Sequence, residues 1–129
     1  MSGSNAQQYQ IRVRVTTDYM KEQSEPDNGR YIFAYHIILE NTGTISARLL
    51  SRHWLITDGN QQLQEVAGDG IIGQQPLLVP GQKYAYSSAC MLKTSVGSMH
   101  GSYQMQADDG HAFDALIPVF TLSVPGALH

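Results

Sequence analysis

Apolar and polar residues alternate along several short stretches of this chain, which is the period of a β-strand with one buried face. Residues 8–19 place Ile11, Val13 and Val15 on one side and two arginines among the residues of the other side. We predict an edge strand here, because exposed charges discourage pairing between sheets.

The stretch from residue 30 to residue 41 is apolar on both faces, so we predict a central strand. The face with the larger residues consists of Tyr31, Phe33, Tyr35, Ile37 and Leu39. The next predicted strand, residues 49–57, carries the only tryptophan. Leu50, Trp54 and Ile56 are expected to share one face of it, with Trp54 as an anchor of the core.

Further strands are predicted at residues 62–66, 84–92, 101–107 and 112–122. Asp58-Gly59 indicates a two-residue hairpin turn, and Asp109-Gly110 closes the last hairpin. No stretch shows the period of an amphipathic helix over more than about two turns. Short strands separated by turn signals predict an all-β sandwich or barrel, and we favour an antiparallel β-sandwich.

The length of 129 residues suits one domain with one core. Neither a repeat nor a linker divides the chain, so we predict a single domain over residues 9–129. Residues 1–8 are expected to be a disordered or tag-derived N-terminus, because Ser4-Asn5-Ala6 resembles the remnant of a cleaved purification tag.

The charge pattern argues against several classes of partner. The 8 basic residues are scattered and the net charge is −3, so nucleic-acid binding is not expected as a main task. No apolar run approaches the ~18 residues that cross a bilayer, and membrane insertion is not expected. One cysteine and no secretory signal favour a cytoplasmic location, with Cys90 as a buried, unreactive thiol.

The motif GDGIIG at residues 68–73 has the spelling of a dinucleotide-binding turn. That role requires a helix after the motif, and the prolines at positions 76 and 80 forbid one. We therefore interpret the segment as a glycine-rich connection between strands whose glycines adopt positive φ. Anion binding through bare backbone N–H groups is the weaker alternative.

Catalytic and metal-binding patterns are not found in the sequence. The five histidines, at positions 36, 53, 100, 111 and 129, lack the spacing of metal ligands, and Asp108-Asp109-Gly110-His111 reads as a hairpin. The segment GSMHG at 97–101 has the glycine spacing of a nucleophile elbow, but Met99 cannot attack a substrate. We expect no catalytic residue, no metal and no cofactor.

The order of several motifs resembles the bacterial ApaG family over nearly the whole chain from about Tyr9. These motifs are YIFAY at 31–35, SRHWLITD at 51–58, VAGDGIIGQQP at 66–76, PG at 80–81, YAYSS at 84–88 and GSMHGSY at 97–103. The resemblance implies a fold similar to fibronectin type III and immunoglobulin-like domains. It also implies a protein-binding role, as in similar domains of eukaryotic F-box proteins, and an association with cobalt tolerance and magnesium efflux.

We therefore expect a non-enzymatic interaction module that binds an unidentified protein partner and is a monomer or a homodimer. Aromatic residues and arginine favour protein interfaces, although the tyrosines also fit half-buried sheet positions. The candidate site residues are Gly68, Asp69, Gly70, Gly73, Gln75, Pro76, Arg52 and Tyr31. The alternative is a sensor that binds a phosphate compound, such as a dinucleoside polyphosphate, at the Gly68–Gly73 loop. An enzyme acting on such compounds would need a bound metal to replace the missing general base.

Overall fold

The structure, a computed structural model, describes residues 8–127 of the chain. Its strands are β1 (Ile11–Tyr19), β2 (Tyr31–Asn41), β3 (Ala47–Asp58), β4 (Leu63–Asp69), β5 (Leu77–Leu78), β6 (Lys83–Leu92), β7 (Val96–Ala107) and β8 (Ala112–Ser123). A 3-10 turn, Pro26–Asn28, lies between β1 and β2. The predicted N-terminal segment falls mostly on residues 1–7, and His129 is at the other end; both lie outside the described residues.

The strands form two antiparallel sheets that pack face to face. The first sheet has the order β1-β2-β6, and the second has the order β4-β3-β7-β8, with β5 paired to the end of β3. This is the two-sheet arrangement of fibronectin type III and immunoglobulin-like domains, and it confirms the predicted antiparallel β-sandwich. Within residues 8–127, no helix has the length and apolar character needed to span a membrane.

The strands of the first sheet behave as their patterns predict. β2 pairs with β1 on one side and with β6 on the other, so the strand that is apolar on both faces is central. β1 is an edge strand with alternating burial, and Arg12 on its exposed face donates to Glu40 at 2.5 Å. This contact and the charge of Arg12 hold the pKa of the Glu40 carboxyl below its usual value.

The core lies between the two sheets and is centred on aromatic residues. Trp54 is 2% exposed, as predicted for a core anchor, and its ring meets Tyr103 and Phe120 edge-on at 6.3 and 5.9 Å. Asn41 is the buried polar residue, and its Nδ2 donates to the carbonyls of Ile45 and Leu78, at 2.9 Å in each case. This amide therefore connects the end of β2 to β5.

The prediction that Leu50 shares the inward face of Trp54 and Ile56 is wrong, because β3 contains a β-bulge. The register against β7 shifts between Leu49 and Ser51, so the inward face changes from odd to even residue numbers at this point. Leu49 is fully buried and Leu50 is only partly buried, while Trp54 and Ile56 face inward as expected. The alternation of apolar and polar residues cannot reveal the extra residue of a bulge, because the bulge does not change the composition of the strand.

The turn predicted at Asp58-Gly59 is longer than expected. β3 ends at Asp58 and β4 begins at Leu63, and Gln61 adopts a positive φ of 62°. Asp58 Oδ1 accepts hydrogen bonds from the N–H groups of Asn60 and Gln62, so its side chain stabilises a wider loop than two residues. The Asp109-Gly110 turn closes the β7–β8 hairpin, with Gly110 at a φ of 89°.

The two long sides of the sandwich differ. On one side, the edge strands β1 and β8 approach each other and cover the core. On the other side, β6 is the edge of the first sheet and β4 is the edge of the second. The space between β4 and β6 remains open and contains the candidate site.

Candidate functional site

A groove runs along the open side of the sandwich. It consists of three adjoining recesses of about 230, 330 and 250 Å³ that share lining residues from one to the next. Residues of both sheets line it, including Tyr35, Arg52, Trp54, Gln64, Ser88 and Met91. We call this feature the inter-sheet groove.

The alternation of the strands explains which side chains reach the inter-sheet groove. Below the bulge, β3 turns Arg52, Trp54 and Ile56 inward, and β6 turns Tyr86 and Ser88 inward from the opposite sheet. Since both strands border the open side, these inward positions meet solvent at the mouth of the groove. The groove therefore has an aromatic floor and a mixed apolar and polar rim.

Two tyrosines, Tyr35 and Tyr86, line the groove, and the fully buried Tyr103 lies next to Tyr86. The hydroxyls of Tyr86 and Tyr103 are 2.5 Å apart. Burial raises the pKa of Tyr86 to about 12, and burial also raises the pKa of Tyr103. The pKa of Tyr35 is raised by burial as well, so all three phenols are neutral at physiological pH and can donate hydrogen bonds.

Arg52 is held on one side by the backbone of the glycine loop. Its Nη1 donates to the carbonyl of Asp69 at 3.1 Å and to that of Gly70 at 2.8 Å. Gly68 makes room for this arrangement, because a Cβ there would lie 3.0 Å from both terminal nitrogens of the guanidinium. Among the residues that the structure describes, Nε and Nη2 of Arg52 have no hydrogen-bond partner, which leaves them able to bind a ligand.

The glycine loop, residues 68–73, ends in a tight turn in which several backbone amides are engaged. Gly70, Ile72 and Gly73 have φ values of 58°, 49° and 74°, while Gly68 lies within β4, so positive φ is confirmed for two of the three predicted glycines. The N–H of Gly70 donates to Leu50, and the N–H groups of Ile71 and Gln74 donate to each other's carbonyls. These three amides cannot also bind an anion, whereas the N–H groups of Ile72 and Gly73 have no partner among the described residues. The predicted phosphate cradle is therefore reduced.

Gln75 and Pro76 close the β3 bulge from outside. Gln75 Nε2 donates to the carbonyl of Leu50 at 2.9 Å, and the carbonyl of Pro76 accepts from the N–H of Leu49 at 3.0 Å. Both candidate residues thus satisfy backbone groups that the bulge leaves without a strand partner. Their contacts give them a structural role.

The remaining candidates lie apart from the groove. Asp69 lines a shallow depression on the outer face of the second sheet. Tyr84 contacts Gln74 beside the glycine loop, and its partner on β2 is Leu39. Tyr31 lies eight residues from Leu39 along β2, at the opposite end of the strand. At about 3.4 Å per residue this separation is roughly 27 Å, and the structure does not bring Tyr31 to the glycine loop.

The described histidines contact individual side chains and form no cluster. His53 hydrogen-bonds to Glu65, and His36 bridges Asp18 and Ser87. The ring of His111 stacks on Tyr9 at 4.1 Å. Within residues 8–127, no three His, Cys, Asp or Glu residues are grouped so that they could hold a metal ion.

Cys90 also lines the inter-sheet groove. Burial raises the pKa of its thiol to about 11, and Sγ lies 3.7 Å from the sulfur of Met99. At neutral pH the thiolate is scarce, which makes Cys90 a poor nucleophile, but its side chain is only partly buried and not buried as its strand position predicted.

Sequence reasoning identified Arg52 but missed the groove that contains it. Its lining residues come from β2, β3, β4, β6 and β7, most of which are far apart in the sequence. The alternation within each strand identifies inward positions, but it does not show which two edges leave the sandwich open. The available signal was the absence of charge along residues 84–92, which is unusual for an edge strand.

The comparisons with known proteins agree with the fold and the motifs. The family model described as the ApaG domain matches residues 21–107. "Protein ApaG" of Azoarcus sp. (strain BH72) is 53% identical over 126 residues, covering 98% of this chain and 99% of the relative. "Protein ApaG" of Azotobacter vinelandii (strain DJ / ATCC BAA-1303) is 60% identical over 121 residues, covering 94% and 96%.

A solved structure extends the agreement to three dimensions. The crystal structure of the putative ApaA protein from Bordetella pertussis superimposes with a TM-score of 0.91 at 43% identity, over 95% of this chain and 99% of that one. A family match over most of the chain and full-length relatives of this similarity show that the chain belongs to the ApaG domain family.

Proposed function

We propose that this chain is a protein-interaction module that binds a partner in the inter-sheet groove and catalyses no reaction. The observation that supports this function is the composition of the groove, where Trp54, Tyr35, Met91 and Arg52 adjoin one another. Trp, Tyr, Met and Arg are the residues enriched where proteins bind proteins, and arginine and aromatic residues carry most of the binding energy there.

The chemistry of the groove also favours binding over catalysis. An activated nucleophile has a lowered pKa or an adjacent base. In the groove, burial instead raises the pKa of Cys90 to about 11 and that of Tyr86 to about 12. Both groups stay protonated at neutral pH and are suited to donate hydrogen bonds.

The proposed link to cobalt tolerance and magnesium efflux runs through the bound partner. His36, His53 and His111 contact neighbouring side chains, and no group of three possible metal ligands is found within residues 8–127, so a metal-carrier role has no support in this geometry. We place this interaction in the cytoplasm and assign no cofactor. A phosphate sensor at the glycine loop would keep Arg52 and the N–H groups of Ile72 and Gly73 as donors, but the N–H groups of Gly70 and Ile71 are engaged within the turn, and we do not propose it.

A site-specific crosslinking experiment tests the groove as the binding surface. Gln64 lies exposed at the groove, whereas Ala85 is exposed on the opposite face of β6. With a photoreactive phenylalanine analogue at Gln64, we expect a discrete protein adduct in living cells, and the same analogue at Ala85 serves as the matched control. Identical adducts from both positions would contradict the assignment.

A second variant tests whether the adduct depends on the groove and whether the groove is needed for cobalt tolerance in cells. Ser88 faces the groove, so Ser88→Phe fills it, and Ala85→Phe adds the same ring on the outer face. We expect Ser88→Phe to abolish the adduct and to fail in restoring cobalt tolerance to a strain that lacks the protein. Ala85→Phe should retain both. Melting curves confirm that both variants fold, and equal behaviour of the two would contradict the proposal.

A further inference from the structure

We propose that the partner is an extended peptide segment that pairs with the free edge of β6 and sets a carboxylate side chain against Arg52. This inference rests on the proposed function and specifies its ligand. It combines an unprotected strand edge, the direction of the backbone groups along that edge and an arginine in the adjoining groove.

The edge of β6 lacks the features that protect the other sheet edges. β1 exposes Arg12 and Arg14, β4 carries Glu65 and Asp69, and β8 is interrupted at Pro118 by a register shift. From Tyr84 to Leu92, β6 has no charged residue, no proline and no register shift against β2. Long uncharged edges of this kind accept an additional strand.

The hydrogen bonds of β2 show which groups of β6 are free. Asn41 donates its N–H to Gln82, and Asn41 and Gln82 continue the β2–β6 register. Because hydrogen-bonded pairs recur at every second residue, Tyr86 and Ser88 direct their N–H and C=O groups toward β2. The backbone groups of Ala85, Ser87 and Ala89 therefore point to the open side, where a new strand can pair with them.

A strand added at this edge covers the groove. Neighbouring strands lie about 4.8 Å apart, and side chains at paired positions share a face. Alternate side chains of the added segment therefore enter the groove beside Tyr86, Ser88 and Cys90, which face it. The three adjoining recesses along the groove suit such a row of alternate side chains.

The charge of Arg52 identifies one of these side chains. Arg52 also borders the outer depression that contains Asp69 and Asp114, but the two recesses around it that belong to the groove include no Asp and no Glu. Within the groove its charge therefore has no carboxylate neighbour. Nε and Nη2, unbonded among the described residues, can donate to an incoming carboxylate, with the hydroxyls of Tyr35 and Ser88 nearby. A single arginine balances a singly charged carboxylate better than a doubly charged phosphate.

A second copy of this chain fits the site less well than an acidic segment does. Pairing of β6 with β6 would bring no carboxylate to Arg52, because the strand contains no Asp or Glu. We therefore assign the edge to a different chain. Self-association is the outcome that would reverse this assignment.

A random peptide library displayed on phage tests the proposal. Peptides are selected for binding to the full-length chain. We expect the selected peptides to share one acidic position flanked by alternating apolar residues. Replacing that acid by its amide should weaken binding to the parent about tenfold, as should Arg52→Gln. If the two groups contact each other, the changes made together should weaken binding no more than either one alone.

Two substitutions at one position test the strand pairing. Ala89→Pro removes an outward N–H while the bonds to β2 remain, and Ala89→Val keeps the N–H. We expect Ala89→Pro to lose at least about tenfold in affinity and Ala89→Val to bind like the parent. Arg52→Lys, which keeps the charge, should retain more affinity than Arg52→Gln, and melting curves confirm folding of every variant.

Several results would overturn the inference. They are a selection without an acidic position, no selected peptide at all, unchanged binding to Arg52→Gln, and unchanged binding to Ala89→Pro. Dimerisation of the parent that Ala89→Pro abolishes would assign the edge to a second copy. If the crosslinked partner of the groove is confirmed while these variants bind it normally, the interaction function stands and only the strand-addition mode fails.

Discussion

Gly101 illustrates how closely β3 and β7 approach each other in the second sheet. It pairs with Trp54, and a Cβ at this position would lie 2.0 Å from the carbonyl oxygen of His53. No rotamer change relieves this contact, because the obstructing atom belongs to the backbone. The glycine is therefore required by the space between strands rather than by its own φ.

A substitution at Gly101 should be far more damaging than one at a turn glycine. We expect Gly101→Ala to lower the free energy of unfolding by about 3 kcal/mol or more, since β3 and β7 must separate to admit the methyl group. Gly110→Ala is the control, because Gly110 has open space around it and a φ of 89°, so its cost is about 1–2 kcal/mol. Urea unfolding measures both values, and equal costs would contradict this reading.

Gly70 shows how tightly the glycine loop is constrained by its own turn. Its φ is 58°, as a glycine-rich connection predicts, and a Cβ there would also lie 2.1 Å from the carbonyl oxygen of Gln74. Any side chain at Gly70 would disrupt the turn whether or not the loop binds an anion. Loss of phosphate binding in Gly70→Ala would thus reveal nothing about a phosphate site.

At the scale of strands, the loop after β4 completes β3. The bulge at Leu50 leaves its carbonyl without a strand partner, and that carbonyl accepts from the N–H of Gly70 and from Gln75 Nε2. A nucleotide-binding role is therefore not needed to explain the GDGIIG segment, since its contacts satisfy backbone groups of β3.

Removing one of these contacts should loosen the loop without unfolding the domain. We expect Gln75→Ala to lower the free energy of unfolding by about 0.5–1.5 kcal/mol, the usual net contribution of one hydrogen bond. Amide hydrogen exchange should accelerate at Gly70 and Ile71 and stay unchanged in β2. Gln106→Ala, an exposed position of β7, serves as the control. Uniformly faster exchange would indicate a global effect instead.

Elements were predicted well from the sequence, and the relations between elements were not. Alternation located β2 and the inward facing of Trp54, because burial on one face leaves a direct signature in residue order. The Leu50 bulge and the loop after Asp58 were missed, because each depends on contacts between segments. For the site, Arg52 was identified from its residue type, while the groove around it required the pairing of the sheets.

For the molecule as a whole, the thiol of Cys90 and the phenol of Tyr86 make the free energy of unfolding sensitive to alkaline pH. Burial raises the pKa of Cys90 from 9.0 to about 11 and that of Tyr86 from 10.0 to about 12. Above pH 9 the unfolded chain begins to lose these protons while the folded chain retains them, so the unfolded state becomes relatively more stable. The stabilisation is complete below about pH 9 and disappears as pH rises through 11 to 12.

Urea unfolding across this range gives the test. We expect the free energy of unfolding of the parent to fall steadily between about pH 9 and pH 11. Tyr86→Phe, which removes one of the groups with a raised pKa, should show a shallower fall. A flat profile in the parent, or the same slope in both proteins, would refute the prediction.

The unequal sides of the sandwich also determine how the domain can deform. The β1–β8 side is closed by contacts between the two sheets, and the β4–β6 side is open. If the sheets moved apart on the open side, each sheet would keep its own hydrogen bonds. A small change in the angle between the sheets would change the width of the groove and break no hydrogen bond between strands. If the groove binds a partner as proposed, we expect it to accept ligands of different size through a small change in the angle between the sheets rather than through rearrangement of loops.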